Sequence, residues 1–280
     1  MTSVRSVHHF AYSTSDAERE IRFHEDALGL RCVSREHQTL RGLPCEQLVF
    51  GVTEEPAQGF LVAFCFGADG PTGRQGSNGP KSPNLSVPAG SLGYWQARLH
   101  DAHIESRIEE FSDTKRLVFT PPSGIDYALV ETGQADAVPI SNGDVAAASA
   151  VRGLHSVTIS LMDVRETHSF LLELFGSTHT AQDLASGYYQ LSAGADGAGI
   201  ELLHEPYRAP GTWTYAVGTP HHVALVVDDE ASREQLCGRL RDAGYHDVSP
   251  VVPGANSSSV WVRAPGGALV ALVCPAGPEH

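Results

Sequence analysis

Apolar positions recur along this chain in four rounds of the same order. Each round opens on a strand-length apolar run, passes into a segment whose apolar residues fall three and four apart, and returns to short runs broken by Gly- and Pro-rich turns. The first begins at VHHFAYS and continues into SDAEREIRFHEDALGL. There Ile21, Phe23, Ala27 and Leu28 mark an apolar helix face, Ser15 is the expected cap and Gly29 the stop; the round closes on GFLVAFCFG. The second runs from NLSVPAG through SLGYWQARLHDAH to RLVFTPPSGIDYALVET. The third runs from GLHSVTISL through VRETHSFLLELFG to GIELLHEP, and the fourth from HHVALVV through EASREQLCGRLRDAGY to VWVRAPGGALVALV. The pattern predicts an α+β protein of four βαβββ units, two in residues 1–135 and two in 151–280. The small-residue stretch GQADAVPISNGDVAAASA supplies a linker at 136–150. The Gly-rich stretch at 67–83 reads as an exposed, mobile loop, and it lacks the GK[ST] ending of a phosphate-binding loop.

Composition narrows the partners. With 19 Lys and Arg against 33 Asp and Glu, a formal net charge of −14 argues against a nucleic-acid backbone. No apolar run is long enough to span a bilayer and the N-terminus lacks the apolar core of a secretory signal, so no membrane partner and a cytoplasmic location are expected. The five cysteines, Cys32, Cys45, Cys65, Cys237 and Cys274, form no CxxC pair and read as reduced, buried thiols. Histidine carries the chemistry. His8–His9 and His221–His222 each stand at the head of a predicted strand, at the same point of the first and fourth rounds. GADGAG leads into a strand rather than a helix, so it does not read as a nicotinamide-binding turn.

Four βαβββ units, histidines on opening strands and P-x-G before closing ones resemble the vicinal oxygen chelate superfamily of glyoxalases, bleomycin-resistance proteins and extradiol dioxygenases. More narrowly, HEDALGLRCVSRE, VPAGSLGYWQARL, VRGLHSVTISL, GTPHHVALVV and the closing SSSVWVRAPGGALVALV resemble two-domain dioxygenases that open hydroquinone rings. The resemblance implies two tandem domains whose curved mixed sheets form half-barrel cavities. It also implies a site uniting units one and four, in which His9 and His222 bind one metal ion. Strand alternation then places His9 with Ala11 and Ser13, and His222 with Ala224 and Val226, while the neighbouring histidines point elsewhere. The family completes its metal face with a Glu on the last strand; here PGGALVAL puts Ala271 in that place. Ala11 replaces a hydroxyl-bearing residue, Trp261 a tyrosine, and Gly254 falls near a basic position. Glu201, with His155 opening the same unit, is a substitute carboxylate only if units three and four pair. Ala128 fills the matching slot of unit two, and Cys65, beyond Ala63, reads as core rather than ligand.

Three readings follow. In the first, a diverged enzyme uses His8, His9, His221 and His222 for metal-independent acid–base work on a phenolic, quinoid or polyketide-like molecule: dehydration, cyclisation, isomerisation or assisted reduction. Trp261, Tyr12, Tyr127 and His155 are its candidate substrate contacts. In the second, the protein is an Fe(II) ring-cleaving dioxygenase with an unusual ligand set. The third is a non-catalytic binding or resistance protein. No cofactor is favoured, although His9 and His222 leave Fe(II) or Mn(II) chemically open. A small aromatic partner and a homodimer are expected.

Overall fold

Every round of the apolar pattern becomes a strand, a helix and three further strands. The computed structural model describes residues 4–54, 58–111, 114–133, 144–176, 178–179, 186–190, 199–212, 215–254 and 257–275. Unit one comprises β1 (Val4–Thr14), α1 (Ala17–Arg22), β2 (Arg31–Leu40), β3 (Leu43–Gly51) and β4 (Phe60–Cys65). Unit two comprises β5 (Gly79–Pro88), α2 (Leu92–Asp101), β6 (Ser106–Phe111), β7 (Thr114–Phe119) and β8 (Tyr127–Thr132). Unit three holds β9 (Gly153–Leu161), α3 (Arg165–Ser169), β10 (Thr178–His179), β11 (Ser186–Gln190) and β12 (Gly199–His204). Unit four holds β13 (Thr219–Val227), α4 (Glu230–Asp242), β14 (Val252–Pro253), β15 (Ser257–Arg263) and β16 (Leu269–Pro275).

The strands form two eight-stranded sheets, and each sheet draws one unit from each half of the chain. The first runs β14-β15-β16-β13-β1-β4-β3-β2, joining units four and one; the second runs β10-β11-β12-β9-β5-β8-β7-β6, joining units three and two. At the centre of each, two opening strands pair antiparallel, β1 with β13 and β5 with β9. These are the curled half-barrel sheets expected of the α+β architecture. One large apolar cluster, including Phe10, Tyr12, Trp95, Leu129, Val157 and Leu225, draws on both sheets. Smaller clusters lie on the other face of the first sheet: Ala11, Cys45, Val62 and Phe64 on one side, Ala224, Ala271 and Val273 on the other.

Several local features differ from the expectation. Asp16 rather than Ser15 caps α1, accepting from the Arg19 N–H at 3.0 Å. The helix then widens into a π-helical turn over Phe23–Ala27 before Gly29 ends it at φ 69°. The expected mobile loop is instead packed, because β5 already begins at Gly79 and residues 72–77 run beside 209–217. The Ser77 hydroxyl donates to the Arg208 carbonyl, and the Gln75 amide donates to the Gly124 and Gly218 carbonyls. A Cβ on Gly76 would collide with the Ala209 carbonyl oxygen, which is why this crossing needs glycine. Of the expected linker, 136–143 lie outside the described residues, as does GADGAG up to Ala198. Its remainder is tied to α2: Trp95 donates its indole N–H to the Ser149 carbonyl at 2.9 Å, and Arg98 pairs with Asp144 at 2.8 Å.

At the centre of the second sheet, Glu201 accepts from Arg116 at 2.7 Å, Ser156 at 2.6 Å and Thr158 at 3.1 Å, and Asn84 donates to both hydroxyls. Glu201→Ala leaves the Arg116 guanidinium buried without this carboxylate. We expect a loss of about 3–5 kcal/mol in urea unfolding, with Glu201→Gln costing less. An unchanged midpoint in Glu201→Ala would show that the pair does not hold this sheet.

Candidate active site

The pairing of β1 with β13 brings the two histidine pairs together. Registers Ala11 to His222 and His9 to Ala224 place His9 and His222 diagonally across the central ladder, and their Nε2 atoms lie 2.9 Å apart. The outer histidines do not point away as simple alternation requires. The register jumps from Val7–Leu225 to His9–Ala224, leaving His8 as an extra residue on β1. It jumps again from Ala11–His222 to Tyr12–Pro220, leaving His221 extra on β13. Bulges of this kind re-aim side chains. Here they bring His8 Nδ1 to 2.7 Å from His9 Nδ1, and His221 Nδ1 to 2.8 Å from His222 Nδ1. Four rings thus form one continuous chain, His8–His9–His222–His221.

Aromatic side chains hold this chain in place. Phe60 stacks on His9 with centroids 5.3 Å apart, Tyr215 lies flat on His221 at 3.6 Å, and Trp261 meets His222 edge-on at 4.6 Å. His221 and His222 are buried, whereas His8 and His9 remain partly accessible. Burial pushes His8 down to about 4 and His221 to about 3. Burial also holds His9 and His222 well below the ordinary imidazole value, helped by the neighbouring rings. All four are neutral near pH 7.

Neutrality restricts the protons. A neutral imidazole carries one N–H and one lone pair, and each of the three N···N contacts requires one of each. Once one ring's tautomer is set, the other three follow. Only two arrangements satisfy every contact. In one, His8 Nε2 carries the terminal N–H and His221 Nε2 the terminal lone pair; in the other these ends are exchanged. Taking a proton at one end and releasing one at the other converts one arrangement into the other, without an imidazolium persisting in the buried middle.

The expected third metal ligand is a methyl group in a hydrocarbon setting. Ala271 lies beside Ala224 on β13 and opposite Trp261 on β15, and it packs with Ala224 and Val273. Gly254 lies in the turn between β14 and β15, where its N–H donates to the Ser257 carbonyl at 2.7 Å. Glu201 and His155 belong to the other sheet, because units one and four pair, and Glu201 is occupied by Arg116. His155 contacts Ser156 through Nδ1 at 3.1 Å. Ala63 and Cys65 face the main core, where burial keeps the Cys65 thiol protonated. Among the described residues, no three His, Cys, Asp or Glu side chains gather as a metal-holding group. A face of two histidines and a carboxylate therefore does not fit the residues present.

Tyr12 and Tyr127 also lie away from the four histidines, inside the shared core. Tyr12 donates to Glu20 at 2.7 Å, while His24 donates through Nδ1 to the Glu20 carbonyl at 2.9 Å and accepts from Tyr127 at 3.1 Å. Burial raises the Glu20 carboxyl to about 7 and lowers His24 to about 4, so their 3.8 Å approach is between groups tending to neutrality rather than a strong ion pair. Sequence reasoning missed this cluster. Its one signal was Glu20 and His24 four apart on a helix face otherwise turned to the core.

No protein-family profile matches the chain. It is 27% identical to chlorohydroquinone/hydroquinone 1,2-dioxygenase of Sphingobium indicum, over 99% of this chain and 87% of that protein. Its fold matches that of a crystallised Bacillus subtilis protein described as a dioxygenase, with a TM-score of 0.88, 22% identity, and coverage of 100% and 87% of the two chains. It also matches glyoxalase I of Zea mays, with a TM-score of 0.69 at 16% identity, covering 97% and 92%. The fold is the α+β vicinal oxygen chelate fold, and further relatives from Bacillus subtilis, 24–25% identical, are described as ring-cleaving dioxygenases.

The buried imidazoles set a pH dependence of stability. Between about 6.5 and their lowered values, the unfolded chain binds protons that the folded chain refuses. Stability therefore falls as pH drops through that window, each histidine contributing a slope approaching about 1.4 kcal/mol per pH unit. Glu20, raised to about 7, acts in the opposite sense, but it is one carboxyl against four site imidazoles and His24. Urea midpoints measured from pH 7 to 4.5 are expected to fall, and His8→Gln/His221→Gln to flatten the fall. An equally steep profile in that double variant would place the dependence elsewhere.

Proposed function

We propose that this protein is an enzyme acting on a phenolic or quinoid small molecule, and that its histidine chain relocates protons on that substrate without a metal. The observation that supports this most is the uninterrupted line of three N···N contacts at 2.7, 2.9 and 2.8 Å, beside an inner sheet face lined by aromatic and small apolar side chains. Phe60 and Trp261 offer aromatic faces beside the histidines, on the sheet face that also carries the small side chains Ala11, Ala224 and Ala271. The chemistry is the sort a two-state proton chain performs best. One end removes a proton from a substrate C–H or phenolic O–H, and the other returns a proton to a carbonyl oxygen or a departing hydroxyl. The first case is a keto–enol isomerisation and the second a dehydration; neither changes the substrate's oxidation level. A ketone reduction would in addition need a hydride donor.

A second reading, an Fe(II) ring-cleaving dioxygenase, is favoured by the similarity to a hydroquinone 1,2-dioxygenase. It requires the substrate's own oxygens to replace a carboxylate that Ala271 cannot supply. Without that carboxylate the site loses both a donor and the negative charge that offsets a divalent ion.

The two readings separate cleanly. His9→Ala and His222→Ala each break the chain at its middle and are expected to lower turnover of a quinoid substrate about 10²–10⁴-fold, with the fold intact by circular dichroism. Loss of less than threefold in both would rule out proton transfer through these rings. Purified protein incubated anaerobically with Fe(II), then given hydroquinone and oxygen, is expected to consume no oxygen, whereas Ala271→Glu is expected to bind the ion and to gain oxygen uptake. Robust uptake by the unaltered chain would instead establish the dioxygenase.

A further inference from the structure

A small cleft, open to solvent, lies at the end of the histidine chain, between residues 74–80, the 211–212 turn and the β13, β15 and β16 strands. Among its lining residues are Arg74, Gln75, Thr212, His221, Arg263 and Leu269. Among the described residues no carboxylate lines it, in a chain of formal charge −14. His221 is 8% exposed, and its Nε2 is buried with no hydrogen-bond partner among the described residues. A buried ring nitrogen left this way costs free energy that a ligand can recover. Arg263 gives Nε to Asp247 at 3.1 Å and Nη1 to the Gly267 carbonyl at 2.9 Å, which fixes the guanidinium in place at the cleft. Arg74 is anchored across the cleft through Nη2 to the Pro210 carbonyl at 2.8 Å.

The cleft is in register with the site. On the β15–β16 ladder, Arg263 pairs with Leu269 and Trp261 with Ala271, and alternation puts both pairs on one face. Two residues along a strand span about 7 Å. That is the reach of an aromatic ring bearing a short side arm.

We infer that the substrate carries an anionic oxygen group, such as a carboxylate, on an arm extending from its aromatic ring, and that this group is received by Arg263, Arg74 and the Nε2–H of His221. The inference rests on the aromatic-substrate reading above. It adds a structural consequence: an anion accepting from His221 Nε2 selects the arrangement in which that atom carries the terminal N–H. His8 Nε2 then presents its lone pair. The arm would thus orient the ring and fix the tautomers of the four rings in the bound complex.

The test is calorimetric titration of the full chain with three probes: hydroquinone, 2,5-dihydroxyphenylacetate and inorganic phosphate. The acid is expected to bind at least about tenfold more tightly than hydroquinone, as a charge-assisted contact should allow. Arg74→Gln and Arg263→Lys should reduce that advantage to within about threefold while leaving hydroquinone affinity unchanged. Arg263→Lys keeps a cation for Asp247, and Arg74 lies on the surface, so neither variant depends on rebuilding the core. Equal affinity for hydroquinone and the acid would overturn the anionic arm and leave the aromatic reading standing. Arginine-dependent phosphate binding with neither aromatic bound would retain the anion site and remove the aromatic reading. No binding of any probe would overturn both.

Discussion

Everything at this site depends on one antiparallel ladder, β1 against β13. The ladder joins residues 213 apart in sequence and closes the His9–His222 contact. Its hydrogen bonds alone would give two inward imidazoles with their neighbours turned away. The two bulges change that outcome, because one extra residue on each strand brings the outer ring round to meet the inner one. Backbone irregularity and side-chain chemistry are here the same feature. A regular ladder would be a better sheet but would not line up the four rings.

The two sheets show how one architecture can put its central position to opposite uses. In the second, the carboxylate of Glu201 is surrounded by Arg116, Ser156 and Thr158, and Asn84 supports the hydroxyls. Charge and hydrogen-bond capacity are matched there, and the strands are fastened. In the first, polar groups of limited capacity are buried beside alanine methyls, and His221 Nε2 has no hydrogen-bond partner among the described residues. Incomplete satisfaction is costly in a core but useful where something must bind. The Tyr12–Glu20–His24–Tyr127 cluster stands between these cases, linking helix α1 to strands of both sheets through neutral contacts.

Much of this arrangement was legible in the sequence. Repeated apolar patterning exposed the four units and the matched positions of His8–His9 and His221–His222, while the pairing of His9 with His222 came from the resemblance. The missing carboxylate at Ala271 was readable only through the resemblance, whose pattern after P-G-G carries a Glu at that place. What remained hidden depends on three-dimensional proximity. Bulges at His8 and His221 leave no residue signature, since neither needs a glycine. The aromatic Tyr12 and Tyr127 look like ligand contacts by composition, yet alternation turns Tyr12 to the core with Phe10. The glycines at 67–83 suggested freedom, whereas Gly76 serves close approach of two backbones. Arg263 was overlooked because its significance lies in a partner strand and a distant loop, not in its neighbours.

The interleaving of the sheets has a consequence for how the protein comes into being. β1 leaves the ribosome well before the neighbour that completes its sheet, because β13 is more than two hundred residues behind. At about 5–20 residues per second, translation takes on the order of 10–40 s to deliver it. During that interval β1 can pair with β4 on one side, while its other edge offers unpaired backbone groups and two apolar-flanked histidines. Assembly of the four-histidine cluster is therefore a late event, and chaperone demand should track the exposed lifetime of this single strand edge.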